Sequence, residues 1–249
     1  MKSLPLLCLS CLVMWGLSGC REEANTTLNV VFDVAWQDSP FVVGETGLDN
    51  QGRDVQLERL ECYVSEFAVH DVREGWIEID TVARIDFGGP ARTVGLEIVG
   101  CEALEIDQFR MGLGVPADRN TDVDPASYPD PDHPLGFKGS AGMHWGWAAG
   151  YIFSVYEGRL LTNPATPFAY HAGADTCFRV VEFTLDEPVL VPLESSDVTW
   201  TMTLDAHACL HGANDIIDPA IDPETHTGNN LPLAIRWVDL YREAWTLTP

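Results

Sequence analysis

The sequence has few basic residues. It contains 14 Lys and Arg residues against 38 Asp and Glu residues in 249 positions, which gives a formal net charge of −24 at pH 7. Beyond residue 20 the only lysine is Lys138, so no segment forms a basic patch. Because so acidic a surface repels phosphate groups, we expect neither nucleic acid nor an anionic lipid surface as a partner.

Several catalytic motifs are also missing. The chain has no Gly-x-Ser-x-Gly segment to present a serine nucleophile and no glycine-rich loop to hold phosphates. It also lacks the Cys-x-x-Cys spacing of thiolate zinc sites. Carboxylates are abundant, but nothing singles out a pair for glycoside hydrolysis. We therefore expect a binding protein and not an enzyme.

No apolar run is long enough to span a bilayer, which needs roughly 20 residues. The run from Leu4 to Leu17 follows the basic Lys2 and ends in Leu17-Ser18-Gly19-Cys20. This segment resembles the lipobox of bacterial lipoproteins, in which the cysteine carries the lipid. A signal peptide is thus predicted over residues 1–19, and acyl chains on Cys20 would anchor the protein to a membrane. An ordinary cleaved signal is the alternative.

If Cys20 carries the lipid, the rest of the chain divides into a short tether and a folded domain. Residues 20–27 would form a lipidated tether, and residues 28–249 are long enough for a single β domain. Arg21 follows the cysteine where inner-membrane lipoproteins carry Asp. We therefore expect an outer-membrane lipoprotein whose domain faces the periplasm or the cell surface.

Four cysteines remain after the signal peptide and Cys20 are set aside: Cys62, Cys101, Cys177 and Cys209. An even number of cysteines in an oxidising compartment predicts two disulfides. Of the three pairings, Cys62–Cys101 with Cys177–Cys209 closes the shortest loops. Free buried thiols are the alternative.

Short runs of alternating polar and apolar residues, separated by Gly, Pro, Asp and Asn, predict an all-β fold. Strands at this spacing are typical of an antiparallel two-sheet β-sandwich with long loops. Residues 231–245 fit either an amphipathic helix or a strand. The predicted strands cover residues 28–36, 56–71, 76–86, 94–99, 109–115, 143–158, 167–173, 178–185 and 198–208.

Two loops, residues 118–141 and 209–230, are long enough to indicate a functional role or disorder. In the first loop, Asn120, Asp122 and Asp124 alternate as calcium ligands would. Pro125 stands where such a loop needs its turn glycine, so a solvated acidic loop is favoured over a calcium site.

Histidines occur at strand ends and loop mouths. An imidazole beside a thioether, such as His144 beside Met143, suits copper, especially Cu(I), better than magnesium or calcium. The other histidines of interest are His133 in the first loop, His171 in FAYHAG, and His207 and His211 on either side of Cys209.

Two segments, GMHWGWAAGYIFSVYEG (142–158) and FAYHAGADTC (168–177), resemble the MbnP-like copper-binding proteins. Three further segments resemble the same family in the same order: LECYVSEFAVHD (60–71), MGLGVPADRN (111–120) and HPLG (133–136). The resemblance covers roughly residues 28 to 208. The matching positions in the first two segments are Met143, Trp145, Trp147, Gly150, Tyr151, Phe153, His171, Gly173 and Cys177.

The resemblance implies a β-sandwich that binds copper for uptake, storage or delivery. Some relatives hold Cu(I) through two histidines and a kynurenine, an oxidised tryptophan, and their genes often neighbour one for a MauG-like di-haem peroxidase. We expect His171, His144 and His133 as ligands, in that order, with His207 in reserve and Met143 nearby. Trp145 and Trp147 are the candidates for oxidation, and Trp36 is a weaker one.

One position departs from the family. Gly146 stands where some relatives have a second histidine. The rival hypothesis is a metal-free or calcium-stabilised surface module that recognises glycan or protein partners through exposed aromatic side chains. The aromatic strand would then serve as core packing.

Overall fold

The computed structural model describes residues 24–90, 92–100, 102–146 and 149–249. The predicted signal peptide and Cys20 therefore lie outside the described residues, as do Cys101 and Trp147. In the described ranges, no helix is both long enough and apolar enough to cross a membrane.

Two β-sheets form most of the fold, as the alternating sequence pattern predicts. In the part of the chain that the structure describes, the α-helices are α1 (Ala117–Asn120) and α2 (Leu231–Glu243). The strands are β1 (Ala24–Trp36), β2 (Ser39–Pro40), β3 (Thr46–Leu48), β4 (Asp54–Asp71), β5 (Gly75–Ile79), β6 (Ala83–Asp86), β7 (Thr93–Gly100), β8 (Leu104–Leu113), β9 (His144–Gly146), β10 (Gly150–Leu160), β11 (Thr166–Gly173), β12 (Arg179–Val191), β13 (Val198–Asp205), β14 (Glu224–His226) and β15 (Trp245–Thr248).

The smaller sheet is centred on β1. Alternate residues of this strand, Leu28, Val30 and Phe32, are fully buried, which is the period of a strand with one face on the core. β13 pairs with β1 in parallel and β7 pairs with it antiparallel, while β15 extends the sheet beyond β13 and β2 pairs with the end of β1.

The larger sheet runs in the order β12, β8, β4, β10, β11, β14. The short strands β3, β5 and β6 pair along β4, and β9 pairs with β10. Its inner face packs on the smaller sheet, since the ring of Phe109 on β8 lies edge-on to Trp200 on β13 with centroids 5.7 Å apart. The fold is therefore the predicted two-layer sandwich.

Two strand pairs differ from the expected antiparallel pattern. β1 is parallel to β13, and β11 is parallel to β14. Parallel neighbours cannot be joined by a tight hairpin, so their connections must be long. The second pair matters for the site described below.

The centre of β4 is buried on both faces, because residues 60 to 65 are all buried instead of alternating. The first long loop covers the outer face, which is the face turned away from the smaller sheet. The Tyr63 hydroxyl donates to the Pro134 carbonyl at 2.9 Å, and the Tyr151 hydroxyl donates to that of Leu135 at 2.6 Å. Leu135 itself is fully buried. The loop is thus a packed cover.

The helical interpretation of the C-terminal segment is confirmed by α2. The Asn230 side chain accepts a hydrogen bond from the Leu233 N–H and caps the helix N-terminus. Trp237 then stacks on Tyr170 of β11, with ring planes 9° apart. The buried face consists of Leu233, Ala234, Trp237, Val238, Leu240 and Tyr241.

The predicted tether, residues 20–27, extends too far into the domain. Ala24 to Thr27 belong to β1 and pair with Gly100 to Glu97 of β7. Thr26 is only 3% exposed. The polar composition of this segment concealed a strand whose backbone is already hydrogen-bonded.

Asp71 is a fully buried carboxylate at the end of β4. It accepts backbone N–H groups from Arg73 at 2.9 Å, Glu74 at 3.0 Å and Glu105 at 2.7 Å. Burial raises its pKa, but these donors and the Arg73 guanidinium outweigh burial and leave the pKa below its usual value. The ionised form therefore stabilises the native state above the unfolded pKa, and this contribution is lost as the pH falls through the folded pKa.

We predict that Asp71→Asn lowers the free energy of unfolding at pH 7 by about 2 kcal/mol, because charge-assisted hydrogen bonds are weakened. The deficit should shrink as the pH falls below about 4. Urea unfolding at pH 7 and in acid measures both effects, with the exposed Asp186→Asn as control. A deficit equal at both pH values would contradict the assignment.

Candidate metal centre

Two adjacent strands place a histidine and a carboxylate together on the outer face of the larger sheet. His171 of β11 lies opposite Val155 of β10, and Glu157 is two residues further along β10 on the same face. Glu157 Oε1 and His171 Nε2 are 2.7 Å apart. A carboxylate accepts only, so His171 Nε2 carries the proton and Nδ1 of the neutral ring is left with a lone pair.

The third strand of this region supplies a second imidazole. β14 runs parallel to β11, with His226 directly opposite His171. The two Nδ1 atoms are 2.9 Å apart, and the ring planes are inclined by 71°. Two nitrogens at this separation can both reach one metal ion through bonds of about 2 Å. His226 Nδ1 carries the proton of the hydrogen bond between the two rings. A metal ion bound by both Nδ1 atoms would replace this proton.

The environment keeps His171 available as a ligand. Burial lowers its pKa; the Glu157 carboxylate opposes this shift, and His226 and Arg59 add to it. Its side chain is 13% exposed. A neutral imidazole is the form that binds metals.

An ion-pair network fixes Glu157 from behind. Arg59 Nη1 lies 3.3 Å from Glu157 Oε1, and Arg59 Nε lies 2.7 Å from Glu61 Oε1. Arg84 holds the other oxygen of Glu61 and donates to the Gly139 carbonyl in the loop cover. The network therefore connects the histidine pair to the covering loop.

Met143 lies on this outer face and is fully buried. Its Sδ atom is 3.7 Å from Arg59 Nη2. Since Arg59 also pairs with Glu157, the thioether is linked to His171 through two intervening side chains. The expected proximity of a thioether to imidazole thus holds only indirectly.

The expected ligand set of His171, His144 and His133 is not assembled. Within the described part of the chain, no three His, Cys, Asp or Glu side chains converge as a metal would require. His144 pairs opposite Tyr151, four residues along β10 from Val155, which places it roughly 13 Å from His171 along the strand. His133 stacks on Tyr128 with centroids 4.5 Å apart, and its Nδ1 accepts the Leu135 N–H.

His144 lies at a separate cavity of about 630 Å³, which it lines with Asp122, Asp124, Pro125 and Phe137. Its ring lies 4.7 Å from that of Tyr151, and burial lowers its pKa while the Asp124 charge opposes the shift. Its Nε2 is buried without a hydrogen-bond partner among the described residues.

The reserve ligand His207 also lies apart from His171, stacked on His211 with ring centroids 4.4 Å apart.

Of the tryptophans considered for oxidation, Trp145 lies near His171 and Trp36 lies near His207. Trp145 packs on Gly173, two residues beyond His171 on the same face, where an added Cβ would lie 2.5 Å from Trp145 Cζ3. Trp36 instead donates its indole N–H to the Leu48 carbonyl and lies beside His207. Trp147 is outside the described residues.

Two of the three alternating residues considered as calcium ligands have structural roles. Asn120 is fully buried; its side chain accepts the Tyr151 N–H and donates to Asp175, both at 2.9 Å. Asp124 accepts the Ala126 N–H and begins a short 3₁₀ turn. These contacts account for two of the three alternating residues without a metal ion.

The prediction of two disulfides, with Cys177–Cys209 as one of the shortest-loop pairs, is wrong, because Cys62, Cys177 and Cys209 are buried free thiols, the alternative considered. Cys209 Sγ contacts the Asp205 carbonyl oxygen at 3.4 Å, and Cys177 lies in a 3₁₀ turn after β11. Loop length measures separation along the chain and does not place two thiols together in space. Burial raises the pKa of Cys62 to about 12. The partner proposed for Cys62, Cys101, is outside the described residues.

His226 was missed at the sequence level. It occurs in PETHTGNN within the second long loop, and its strand is only three residues long. So short a strand has no detectable alternation. The one available signal was a histidine in a loop too long for a simple connection.

Comparisons with known proteins agree with this architecture. Residues 25–227 match the MbnP family. Among solved structures, MbnP from Methylosinus trichosporium is similar with a TM-score of 0.50 and 18% sequence identity, over 77% of this chain and 79% of that one. No curated protein matches the chain.

The geometry predicts the protonation of His171. In wild-type protein near pH 7.5, two-bond ¹H–¹⁵N NMR spectra should show neutral His171 with its proton on Nε2. In Glu157→Ala both tautomers should be populated, because the acceptor that selects one of them is lost. The exposed Glu182→Ala is the control and should leave the spectrum unchanged. A proton on Nδ1 in the wild type would contradict the geometry.

Proposed function

Because the chain belongs to the MbnP family, we propose that it binds copper for uptake, storage or delivery, at a site centred on His171 and His226. The single observation that carries this proposal is the 2.9 Å approach of their Nδ1 atoms, one of which is oriented by Glu157. A carboxylate partner on the far ring nitrogen is a usual outer support of a metal-bound histidine.

The donor chemistry fits copper. Two imidazole nitrogens form a softer environment than calcium or magnesium prefers. Carboxylates are held away from the metal position by Arg59, Arg84 and the ring of His171. The net charge of −24 attracts cations to the protein as a whole.

A third nitrogen ligand is proposed from Trp145. Oxidative opening of an indole to kynurenine exposes an aromatic amine, and Trp145 packs on the strand that carries His171. The family resemblance suggests a MauG-like di-haem peroxidase as the partner that performs this oxidation. Met143 is then a reserve donor behind Arg59. The proposed setting is the outer membrane, with a lipid anchor on Cys20.

The rival function is a surface module that binds glycan or protein partners. Phe137 supports it, because this aromatic side chain is 71% exposed at the rim of the cavity that His144 lines. Metal analysis of protein isolated from its native compartment separates the two. Copper near one equivalent supports the first function, and protein free of copper supports the second.

We predict that His171→Ala or His226→Ala lowers Cu(I) affinity by at least about 100-fold, more than the roughly 10- to 100-fold typical of losing an outer-shell partner. Competition with a chromogenic Cu(I) chelator measures the affinity. His70→Ala is the matched control, since His70 pairs with Asp107 at 2.6 Å and belongs to a different surface. Unchanged affinity in both pair variants, with the fold intact by circular dichroism, would refute the site.

A further inference from the structure

A second histidine pair lies where β13 ends. The chain turns helically there: the Cys209 N–H donates to the Asp205 carbonyl, and the His211 N–H donates to that of His207. Asp205 Oδ1 accepts the backbone N–H of His207 at 2.9 Å and begins the turn. Four residues make one helical turn, so the two imidazoles lie on the same side, with ring planes 16° apart.

Neighbouring groups determine where the protons are on these rings. His211 Nδ1 lies 3.1 Å from the His207 carbonyl oxygen, which only accepts. The proton is therefore on Nδ1, and Nε2 of the neutral ring has a lone pair. His207 Nε2 lies 3.1 Å from the amide nitrogen of Gln37, which only donates, so this Nε2 also has a lone pair.

The surroundings favour a cation. Burial lowers the pKa of both imidazoles. The charges of Asp205 and Asp49 oppose this shift at His207, and those of Asp49 and Asp218 oppose it at His211, where Arg53 adds to it. His207 is 8% exposed. The Trp36 indole packs against one side of the His207 ring, with the two ring centroids 5.6 Å apart and the ring planes inclined by 70°. The pair is thus neutral, with His207 shielded from water and three carboxylates close enough to influence the two rings.

We propose that His207 and His211 form a second metal site, which binds Cu²⁺ or a similar borderline transition-metal cation through their Nε2 atoms. The ion takes the place of the Gln37 N–H at His207, and the Gln37 amide, turned over, presents its oxygen. Nitrogen and oxygen donors together suit Cu²⁺, and two histidines four residues apart on a helical turn have the spacing of helical zinc sites. The rings turn about their Cβ–Cγ bonds to bring both lone pairs to one ion.

This site shares no residue with the His171–His226 pair, so the two can be tested separately. Cu²⁺ binding to the full chain is measured by equilibrium dialysis for the wild type, two double variants and the control His70→Ala. His207→Ala/His211→Ala should lose one equivalent of Cu²⁺ relative to the wild type. His171→Ala/His226→Ala should keep that equivalent, and His70→Ala should match the wild type. Undiminished Cu²⁺ binding by the first double variant would overturn the proposal.

A measurement on unaltered protein covers the case in which the buried His207 cannot be replaced without unfolding. Cu²⁺ with ascorbate in air oxidises histidines that hold the metal, and peptide mass spectrometry locates the added oxygen. Oxidation at His207 or His211, with His70 unmodified, supports the second site. Oxidation that spares both residues, at Cu²⁺ sufficient for all bound equivalents, overturns it whether or not His171 and His226 are oxidised.

Discussion

The hydrogen bond from His171 Nε2 to Glu157 controls what the outer face of the larger sheet can bind. A neutral imidazole with its proton fixed on one nitrogen presents a lone pair at the other, and here that lone pair points at His226. Without the carboxylate, the ring could carry its proton on either nitrogen, and the pair would be oriented only by packing. Glu157 thus determines which nitrogen of His171 carries the lone pair, and the pairing of β11 with β14 determines the distance between the two Nδ1 atoms.

Burying charge to orient one imidazole has a cost. Glu61 is 6% exposed, and an isolated buried carboxylate would be strongly destabilising. It is instead bound by both Arg59 and Arg84, and each arginine also reaches a carbonyl of the covering segment. The two arginines that neutralise the carboxylates therefore also hold residues 139 to 143 over the sheet. Loop, network and histidine pair form one connected unit.

Much of the fold, and one residue of the candidate site, could be predicted from the sequence. Alternation located most of the strands, the apolar spacing of residues 231–245 left a helix or a strand open, and the FAYHAG motif marked His171 as a ligand candidate. His226 could not be found, because its three-residue strand pairs in parallel with residues 55 positions earlier in the chain and has no period of its own. His144 and Met143 are adjacent in sequence, but the Met143 thioether contacts Arg59, whereas the His144 ring packs on Tyr151. Their side chains consequently belong to different surroundings.

The most direct test of the central claim is anomalous X-ray scattering at the copper edge from crystals grown with Cu(I) under reducing conditions. The account predicts a copper peak about 2 Å from Nδ1 of both His171 and His226, with Glu157 still bound to His171 Nε2. Copper absent from this position, or bound to one of the two histidines while the other keeps its present hydrogen bonds, would contradict it.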